Sequence, residues 1–391
     1  MIKTFKYKLY NSSNKYLISQ IEIASEIYNH CISLYKNYYK LYNKFLNKYQ
    51  LQKHITKLKK LNKYSKWRKL PSQSIQDITD RIDKSYKLFF KKQTKHSPSY
   101  KSRYKYKSFS LKQASYKLFD DNQIIINKRK YKYFKSRSTE GEIKLLTIKR
   151  DILGDLYLYI ICKVETPEPI YKSGKTAGID FGCKQFLTLS DDTTIDNPEY
   201  LKNSLNNLKS TQQVLSRKKR GSNNKKKIRK QLSRLYNKIT NQRTDFLFKL
   251  ARKLCYTYDE LSVENLDLNS MKESKLDIKQ FEKNYHRKLS DLSYGEFLNI
   301  LTYYCEKTGK KIVKIDRFFP SSKTCSNCGY VNNELKLTDR TWTCPECKEK
   351  LDRDINASKN IERVGTSTLC EYNYLPEYQK DNYDSIESHV L

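Results

Sequence analysis

Residues 344–360 read CPECKEKLDRDINASKN, and this short stretch places two kinds of metal ligand side by side. Cys344 and Cys347 have the spacing of a metal-binding knuckle, and Asp352 and Asp354 follow the second cysteine at a distance of five and seven residues. The residues after them have the character of a helix. The arrangement predicts that the knuckle is inserted into an acidic site, and the alternative is a chance neighbourhood on a charged surface.

A second cysteine pair comes before the first. Two residues separate Cys325 from Cys328, and fifteen residues separate Cys328 from Cys344. With Cys347, the two pairs supply four thiolates for one tetrahedral Zn²⁺, which explains the spacing better than two unrelated redox pairs do. A site closed by four cysteines leaves no position for water, so the predicted zinc is structural and not catalytic. The other six of the ten cysteines are scattered singly, which indicates a reducing compartment and not a disulfide framework.

The charge of the chain points to a polyanionic partner. Among 391 residues, 78 are Lys or Arg and 42 are Asp or Glu, for a formal net charge of +36. Such a surplus destabilises a compact protein by self-repulsion unless a polyanion neutralises it. Nucleic acid is the favoured partner, and a solvated basic surface or a membrane surface is the alternative. The sequence has neither a signal peptide nor an apolar run of about 18 residues, which predicts a cytoplasmic protein without a membrane partner.

The first part of the chain changes pattern several times. Residues 1–10 alternate like a strand, residues 14–63 have helical periodicity, and a second helix is predicted after Pro71. Residues 111–165 contain short β-branched and aromatic runs. This order predicts a small barrel or sheet to which residues 1–10 add a strand, followed by a linker at Thr166-Pro167-Glu168-Pro169.

A new domain is predicted from about residue 170 onward. Its first element is a hairpin made by AGIDFG and KQFLTLSDD. The elements predicted after it are helices over 199–255, a strand over 260–266, a helix over 292–308, a strand over 310–316 and a last helix over 354–364. The tail from 365 to 391 holds five acids and one lysine, and it is predicted to be flexible.

Two basic stretches are candidates for contact with nucleic acid. Residues 217–230, RKKRGSNNKKKIRK, fall between two helical segments, and blocks of like charge are typical of nucleic-acid contacts. Residues 93–110 are basic and aromatic without a clear period. A solvated hairpin tip is the alternative for 217–230. The candidate residues of the two stretches are Arg103, Lys105, Lys107, Arg217, Lys218, Lys219, Arg220, Lys225, Lys226 and Lys227.

Carboxylates occur at the edges of several predicted elements. Asp180 lies inside an apolar strand, Glu264 ends another strand, and Asp354 starts a helix, where the helix dipole favours its ionised form. A single carboxylate on a strand usually faces solvent, but three at element edges suit hard cations. Two Mg²⁺ ions about 4 Å apart, held by such acids, can promote phosphodiester hydrolysis. The spacing alone leaves other candidates open, which are Asp191, Asp192 and Asp352.

The ordered combination of motifs strongly resembles a known family. GIDFG (178–182), SVENL (262–266), the four cysteines and LDRDINASKNI (351–361) resemble the TnpB (OrfB) proteins of bacterial insertion sequences, the relatives of type V CRISPR effectors. The resemblance covers nearly everything from residue 1 to about 364. Two positions depart from it. Tyr294 stands where the family often has Trp, and Phe248 where a His is common.

The resemblance implies a multi-domain α/β fold with a RuvC-like nuclease of RNase H fold over residues 170–324 and 348–364. Its three acids correspond to Asp180, Glu264 and Asp354, since the second aspartate of the DRDxNA motif matches the metal ligand. A four-cysteine zinc ribbon over 325–347 would be inserted before the helix of the third acid. Residues 1–10 and 111–168 would form a β-barrel wedge domain, and residues 11–110 a helical recognition lobe.

The resemblance also implies an RNA-guided DNA endonuclease with two catalytic Mg²⁺ ions, one structural Zn²⁺ and a guide RNA. The enzyme would act in the bacterial or archaeal nucleoid as a monomer on one RNA, and would cut double-stranded DNA beside a short motif. Gln73 and Gln76 are candidates for reading that motif, because Gln pairs well with adenine; a solvated helix start is the alternative. A compact CRISPR effector with an array-derived guide, a nuclease-dead repressor and a DNA-moving transposase are the rival functions.

Overall fold

The computed structural model describes residues 1–10, 14–112, 115–119, 122–165, 173–182, 185–265, 291–336 and 339–374, with side chains as far as residue 367. Two compact units make up the chain, Met1–Thr166 and Pro167–Leu391. The predicted linker at 166–169 lies outside the described residues. Among the described helices, none is both long and apolar enough to cross a lipid bilayer.

The first unit combines antiparallel sheets with helices. One sheet has the strand order β1-β7-β6-β2 and the other the order β3-β4-β5. The elements are β1 (Ile2–Lys8), α1 (Asn14–Tyr42), α2 (Lys48–Leu58), a 3-10 helix (Asn62–Lys69), α3 (Ser72–Phe90), β2 (Ser108–Leu111), β3 (Tyr116–Phe119), β4 (Gln123–Ile126), β5 (Arg129–Lys132), β6 (Glu142–Arg150) and β7 (Leu156–Lys163).

Residues 1–10 supply a partner strand, as their alternation predicts. β1 pairs antiparallel with β7, with Ile2 opposite Lys163 and Lys8 opposite Tyr157. Alternate β1 residues, such as Phe5 and Tyr7, are buried in the core of the unit. The strands lie in two sheets, so the closed barrel stays a prediction, as do the bounds of the wedge and the lobe.

The helical periodicity of 14–63 covers more than one helix. α1 ends at Tyr42, and Asn43 has the left-handed φ of 48° that breaks a helix. Asn47 then starts α2 with a capping box, because its side chain accepts from the Gln50 amide while Gln50 accepts from the Asn47 amide. α3 begins after Pro71, where it was predicted. Local capping residues therefore divide a continuous apolar pattern.

A histidine pair joins α1 to α2. The Nε2 atoms of His30 and His54 lie 3.1 Å apart, and their rings stack at 5.3 Å between centroids. Trp67 packs edge-on against His30. Burial and the neighbouring His54 lower the pKa of His30, and burial and Lys57 lower the pKa of His54. Both imidazole rings therefore bind a proton less readily in the folded protein than in the unfolded chain, where their ordinary pKa is 6.5.

We expect the protein to lose stability as the pH falls below about 6.5, because the unfolded state then binds more protons at these two histidines than the folded state. The measurement is the midpoint of thermal unfolding at pH 7.5 and pH 5.5 for the wild type and for His54→Gln, which cannot titrate. Between pH 7.5 and pH 5.5, the unfolding midpoint should fall further in the wild type than in the variant. Equal losses would show that the pair does not contribute.

The second unit is built on a mixed sheet with the strand order β10-β9-β8-β11-β12. β8, β9 and β10 are antiparallel, while β11 runs parallel to both of its neighbours. The elements are β8 (Thr176–Phe181), β9 (Gln185–Leu189), β10 (Thr194–Asp196), α4 (Tyr200–Arg217), α5 (Asn223–Thr257), β11 (Glu260–Glu264), α6 (Tyr294–Thr308), β12 (Lys311–Ile315), β13 (Thr341–Thr343), β14 (Lys350–Asp352) and α7 (Arg353–Tyr374).

The final helix continues ten residues beyond its predicted end at 364. α7 reaches Tyr374, so the predicted flexible tail is helical from 365 to 374, and residues 375–391 lie outside the described residues. Gly365, the first residue of the predicted tail, instead lies inside the helix and serves for packing. A Cβ added to Gly365 would lie 1.9 Å from the Ser262 hydroxyl oxygen of β11. The absence of a side chain therefore lets the helix pass close to the sheet.

Candidate active site and four-cysteine centre

The two faces of the central strands have different compositions. Ala177 and Ile179 of β8 and Leu261 and Val263 of β11 are buried in one apolar core with residues of α5 and α6. Because neighbouring residues of a strand point to opposite faces, the alternate residues of the two strands lie toward the other face. These residues are Gly178, Asp180, Ser262 and Glu264.

The strand register brings two of the predicted acids together. β8 and β11 are parallel, and Ile179 lies opposite Val263. Asp180 and Glu264 are the next residues of the two strands, so both carboxylates lie at one end of the sheet and on one face. A parallel pair is what allows this, since the carboxyl ends of parallel strands meet at the same edge.

α7 covers this face and brings the third acid. A Cβ added to Gly178 would lie 2.0 Å from the Ser358 carbonyl oxygen, so the helix backbone contacts the strand where the side chain is missing. The Thr176 hydroxyl donates to the Glu362 carboxylate one turn further along α7. The helix thus runs opposite to β8, and its first turn, with Asp354, lies at the Asp180 end of the strand.

The charges at this edge affect one another. The pKa of Asp180 is raised to about 7, chiefly by burial and then by the negative charges of Glu264 and Asp354. A hydrogen bond from the Phe181 amide and the positive charge of Arg353 lower the pKa, but their effects are weaker. Burial also raises the pKa of Glu264, although a hydrogen bond from Ser321 acts against it. The three carboxylates therefore lie near enough for their negative charges to repel one another.

Asp352 and Asp354 have different roles in the structure. Oδ1 of Asp352 accepts the backbone N–H groups of Asp354 at 3.0 Å and Ile355 at 3.1 Å, which makes Asp352 the N-cap of α7. The Asp354 carboxylate instead faces the Arg340 guanidinium at 3.2 Å and raises the pKa of Asp180. The geometry therefore favours Asp354 over Asp352 as the third acid.

Asp191 and Asp192 are not part of this cluster. They follow β9, which runs antiparallel to β8. The amide of Ser190, just after β9, donates to the Gly178 carbonyl, so Asp191 and Asp192 lie toward the amino end of β8, away from Asp180. Asp191 accepts a hydrogen bond from the Tyr258 hydroxyl, and Asp192 pairs with Lys359 at 3.3 Å. Burial alone would raise the pKa of Asp191, but the hydrogen bonds from Tyr258 and Thr193 lower it.

The four predicted zinc ligands converge. The sulfur atoms of Cys325, Cys328, Cys344 and Cys347 all lie within 4.8 Å of one another. Sγ of Cys325 is 3.6 Å from Sγ of Cys347, and Sγ of Cys328 is 3.5 Å from Sγ of Cys344. These distances are close to the separation of about 3.8 Å that follows from Zn–S bonds of about 2.3 Å in a tetrahedron. The cysteines therefore fit one tetrahedral metal ion.

Each cysteine pair lies in a tight turn. Gly329, with a φ of 81°, donates its amide to the Cys325 carbonyl, and the Lys348 amide donates to the Cys344 carbonyl. β13 and β14 form a short antiparallel ribbon around the second turn. β14 ends at Asp352, the N-cap of α7, so the ribbon connects directly to the helix that carries Asp354.

Two residues that the motif analysis did not single out join the ribbon to α7. Asn356 donates to the Thr324 carbonyl at 2.7 Å and accepts the Ser326 amide at 2.8 Å. Asn360, one turn later, donates to the same Thr324 carbonyl at 2.6 Å. Both amides are 1% exposed. Asparagines four residues apart on the apolar face of a predicted helix were the available signal, because buried amides need fixed partners.

The candidates for DNA reading have unequal access to solvent. Gln76 of α3 is exposed, whereas Gln73 is half-buried and its Oε1 accepts a hydrogen bond from Ser115 at 3.0 Å. In the basic stretch after α3, Arg103 pairs with Glu22 at 2.5 Å, Lys105 is exposed and Lys107 is half-buried.

The basic block between α4 and α5 is a helical hairpin tip. Ser222 caps α5, and Nζ of Lys225 donates to the Lys218 carbonyl at 2.9 Å across the turn. Lys225 is half-buried, and the other six predicted contact residues of the tip are exposed, namely Arg217, Lys218, Lys219, Arg220, Lys226 and Lys227. The tip thus offers a concentrated positive charge to solvent, and its partner stays a prediction.

Comparison with known proteins agrees with this architecture. Residues 159–275 match the OrfB_IS605 model, described as "Probable transposase", and residues 294–361 match the Cas12f1-like TNB domain. The "Putative RNA-guided DNA endonuclease" of Streptomyces pristinaespiralis is 31% identical over 316 residues, which cover 80% of this chain and 76% of that protein. InsQ of Escherichia coli (strain K12), with the same description, is 24% identical over 88% of this chain and 87% of its own.

A solved structure shares the fold at low sequence identity. A protein chain in the cryo-EM structure of the Cas12f1-sgRNA-target DNA complex aligns with a TM-score of 0.56 and 16% identity, over 90% of this chain and 83% of that one. The chain is thus an α/β protein that shares the fold of this protein chain. Because the chain is 31% identical to the Streptomyces relative and covers 76% of it, the chain belongs to the TnpB (OrfB) family.

Proposed function

We propose that the chain is an RNA-guided DNA endonuclease of the TnpB type. A guide RNA would pair with one DNA strand, and the second unit, as a RuvC-like nuclease of RNase H fold, would cut DNA beside a short motif. The observation that carries the proposal is geometric: the register of β8 and β11 puts Asp180 and Glu264 on one face at one edge of the sheet, and α7, which starts with Asp354, packs on that face. Three acids at one sheet edge, in a chain of this family, match a metal-dependent nuclease site.

The three carboxylates would hold the catalytic cations. Asp180 and Glu264 point to one face from adjacent parallel strands, and Asp354 lies in the first turn of α7, the helix that covers this face. When bound, two Mg²⁺ ions would polarise the scissile phosphate and lower the pKa of the attacking water. Arg340 and Arg353 neutralise part of the acidic charge, which limits the repulsion between the carboxylates before a cation and DNA bind.

The four-cysteine centre would hold one structural Zn²⁺. Four sulfur ligands close the coordination sphere, so this ion would contribute to folding and not to the reaction. Its place beside α7 fixes the first turn of that helix, and hence Asp354, in relation to the ribbon.

The positive charge supports nucleic-acid partners. The relatives' names describe RNA-guided DNA endonucleases, and the Cas12f1 complex contains sgRNA and target DNA. The exposed helical tip at 217–227 and the exposed Gln76 are the surfaces we assign to these partners, in a monomer that binds one RNA in the cytoplasm. A nuclease-dead repressor is the weaker candidate, since a degenerate site should have lost at least one of the three acids.

The test is to express the protein with its native flanking DNA, sequence the RNA that co-purifies, and offer the complex a plasmid that matches the guide. A single structured RNA whose 3′ end reads into neighbouring DNA, together with Mg²⁺-dependent plasmid cleavage, supports the proposal. Variable spacers beside one repeat would move the protein to the CRISPR class. The absence of a defined RNA would overturn RNA guidance.

A further inference from the structure

One hydrogen-bonded segment connects the acidic site to the four-cysteine centre. Residues 320–326 lie between β12 and the second residue of the first cysteine knuckle, and α7 holds this segment from one side. Ser321 and Thr324 of the segment are both buried, at 7% and 5% exposed. Polar groups in such surroundings are costly to leave without partners, so their hydrogen bonds fix the path of the chain.

At one end of the segment, Ser321 contacts a predicted metal ligand. The Ser321 hydroxyl donates to Oε1 of Glu264, the carboxylate that ends β11. The carbonyl of Ser321 accepts from the Asn360 amide of α7 at 2.9 Å. The backbone of Ser321 is thus held by the helix while its side chain orients Glu264.

At the other end, the segment contains a predicted zinc ligand. Asn360 and Asn356 both donate to the Thr324 carbonyl, and Asn356 also accepts the Ser326 amide. Cys325 lies between these two anchored residues, and its own amide donates to the Tyr330 carbonyl at 2.7 Å within the knuckle. Asn360 therefore holds both ends of the segment, at Ser321 and at Thr324, and Asn356 holds the residues on either side of Cys325.

We infer that Ser321 is a positioning residue for Glu264, and that Asn356 and Asn360 transmit the state of the four-cysteine centre to this carboxylate. With zinc bound, Cys325 is fixed, the segment is held against α7, and the Ser321 hydroxyl keeps one oxygen of Glu264 in place. Without zinc, the segment loses one anchor and Glu264 loses its fixed orientation. The inference rests on the proposed function, because it assigns Glu264 to the catalytic metal site.

The first test compares Ser321→Ala with Ser321→Thr, which keeps the hydroxyl, and with Ser322→Ala, which removes the neighbouring hydroxyl. The measurement is the Mg²⁺ concentration that gives half of the maximal cleavage rate. We expect Ser321→Ala to raise it about tenfold or more, while Ser321→Thr and Ser322→Ala stay near the wild type. Guide-RNA affinity and zinc content should be the same in all four proteins.

The second test addresses the link to zinc. Asn360→Ala keeps all four cysteines but removes the amide that holds the Ser321 and Thr324 carbonyls. We expect this variant to raise the Mg²⁺ requirement and to release zinc faster to a colorimetric chelator. In the double variant with Ser321→Ala, the two effects on the Mg²⁺ requirement should not add, because both act through one chain of contacts.

The outcomes separate this inference from the proposed function. If the wild type does not cleave guided DNA, the proposed function fails. If the wild type cleaves and Ser321→Ala has an unchanged Mg²⁺ requirement, the positioning role is wrong while the nuclease stands. Additive effects of Ser321→Ala and Asn360→Ala, or unchanged zinc release in Asn360→Ala, would overturn the link between the two centres.

Discussion

Asp180→Asn should lower the rate of guided DNA cleavage by at least about 1,000-fold, which corresponds to about 4 kcal/mol of activation free energy. The substitution replaces the Asp180 carboxylate by an uncharged amide and so removes one negative charge from the three acids. Metal ions held by these acids are expected to stabilise the transition state. The side chain keeps its size, so folding and guide-RNA binding should persist. The measurement is the single-turnover cleavage rate, with RNA affinity measured on the same preparation.

Two pairs of variants make this prediction specific to the site. Asp192→Asn, in the turn after β9, should leave cleavage near the wild type. Asp354→Asn should abolish cleavage, whereas Asp352→Asn should be tolerated, because Asn is as good an N-cap as Asp. Full cleavage by Asp180→Asn, or loss of cleavage with Asp352→Asn but not with Asp354→Asn, would show that the acids are wrongly assigned.

Gly178→Ala should strongly destabilise the second unit, because the added methyl group has no room. The added Cβ would lie 2.0 Å from the Ser358 carbonyl oxygen and 2.5 Å from the Glu362 amide nitrogen, so the obstacle is helix backbone, which has no rotamer to change. We expect a loss of about 3 kcal/mol, at the upper end of what overpacking costs. The midpoint of thermal unfolding should fall by roughly 5–10 °C.

Gly365→Ala provides the matched comparison. Its added Cβ would lie 1.9 Å from the hydroxyl oxygen and 2.5 Å from the Cβ of Ser262, but 3.6 Å from the Cα. Here the obstacle is a side chain, so the double variant Gly365→Ala/Ser262→Gly should recover much of the stability that Gly365→Ala loses. A stable Gly178→Ala protein, or a Gly365→Ala protein that Ser262→Gly does not improve, would contradict this view of how α7 packs on the sheet.

Short, regular signals in the sequence predicted much of the second unit. The CxxC spacing located the four-cysteine centre because few other structures need such a pattern. The apolar neighbours of Asp180 and Glu264 predicted two buried strands, and period-2 alternation then requires both acids to point to the face opposite the core. The choice of Asp354 over Asp352, by contrast, came from family resemblance. Cap geometry, which no spacing reveals, supports that choice.

Other features depend on contacts between residues far apart in the chain. The predicted end of α7 at 364 was wrong because the tail was assigned from its acidic composition, whereas Gly365 packs against Ser262 and the helix continues past it. The roles of Ser321 and Asn360 were missed because their partners lie 57 and 36 to 39 residues away. In the first unit, a continuous apolar pattern hid the break at Asn43, which local backbone conformation decides.

The direct connection of β14 to α7 limits how the ribbon can change in length. Asp352 ends the strand and caps the helix, so no spacer residue separates the two elements. Each residue of an α-helix turns about 100° around its axis. One residue inserted between Cys347 and Asp354 would therefore either rotate Asp354 away from Asp180 or break the hydrogen bonds between Asp352 and the first turn of α7. Natural length variants and engineered insertions should therefore avoid the stretch between Cys347 and Asp354.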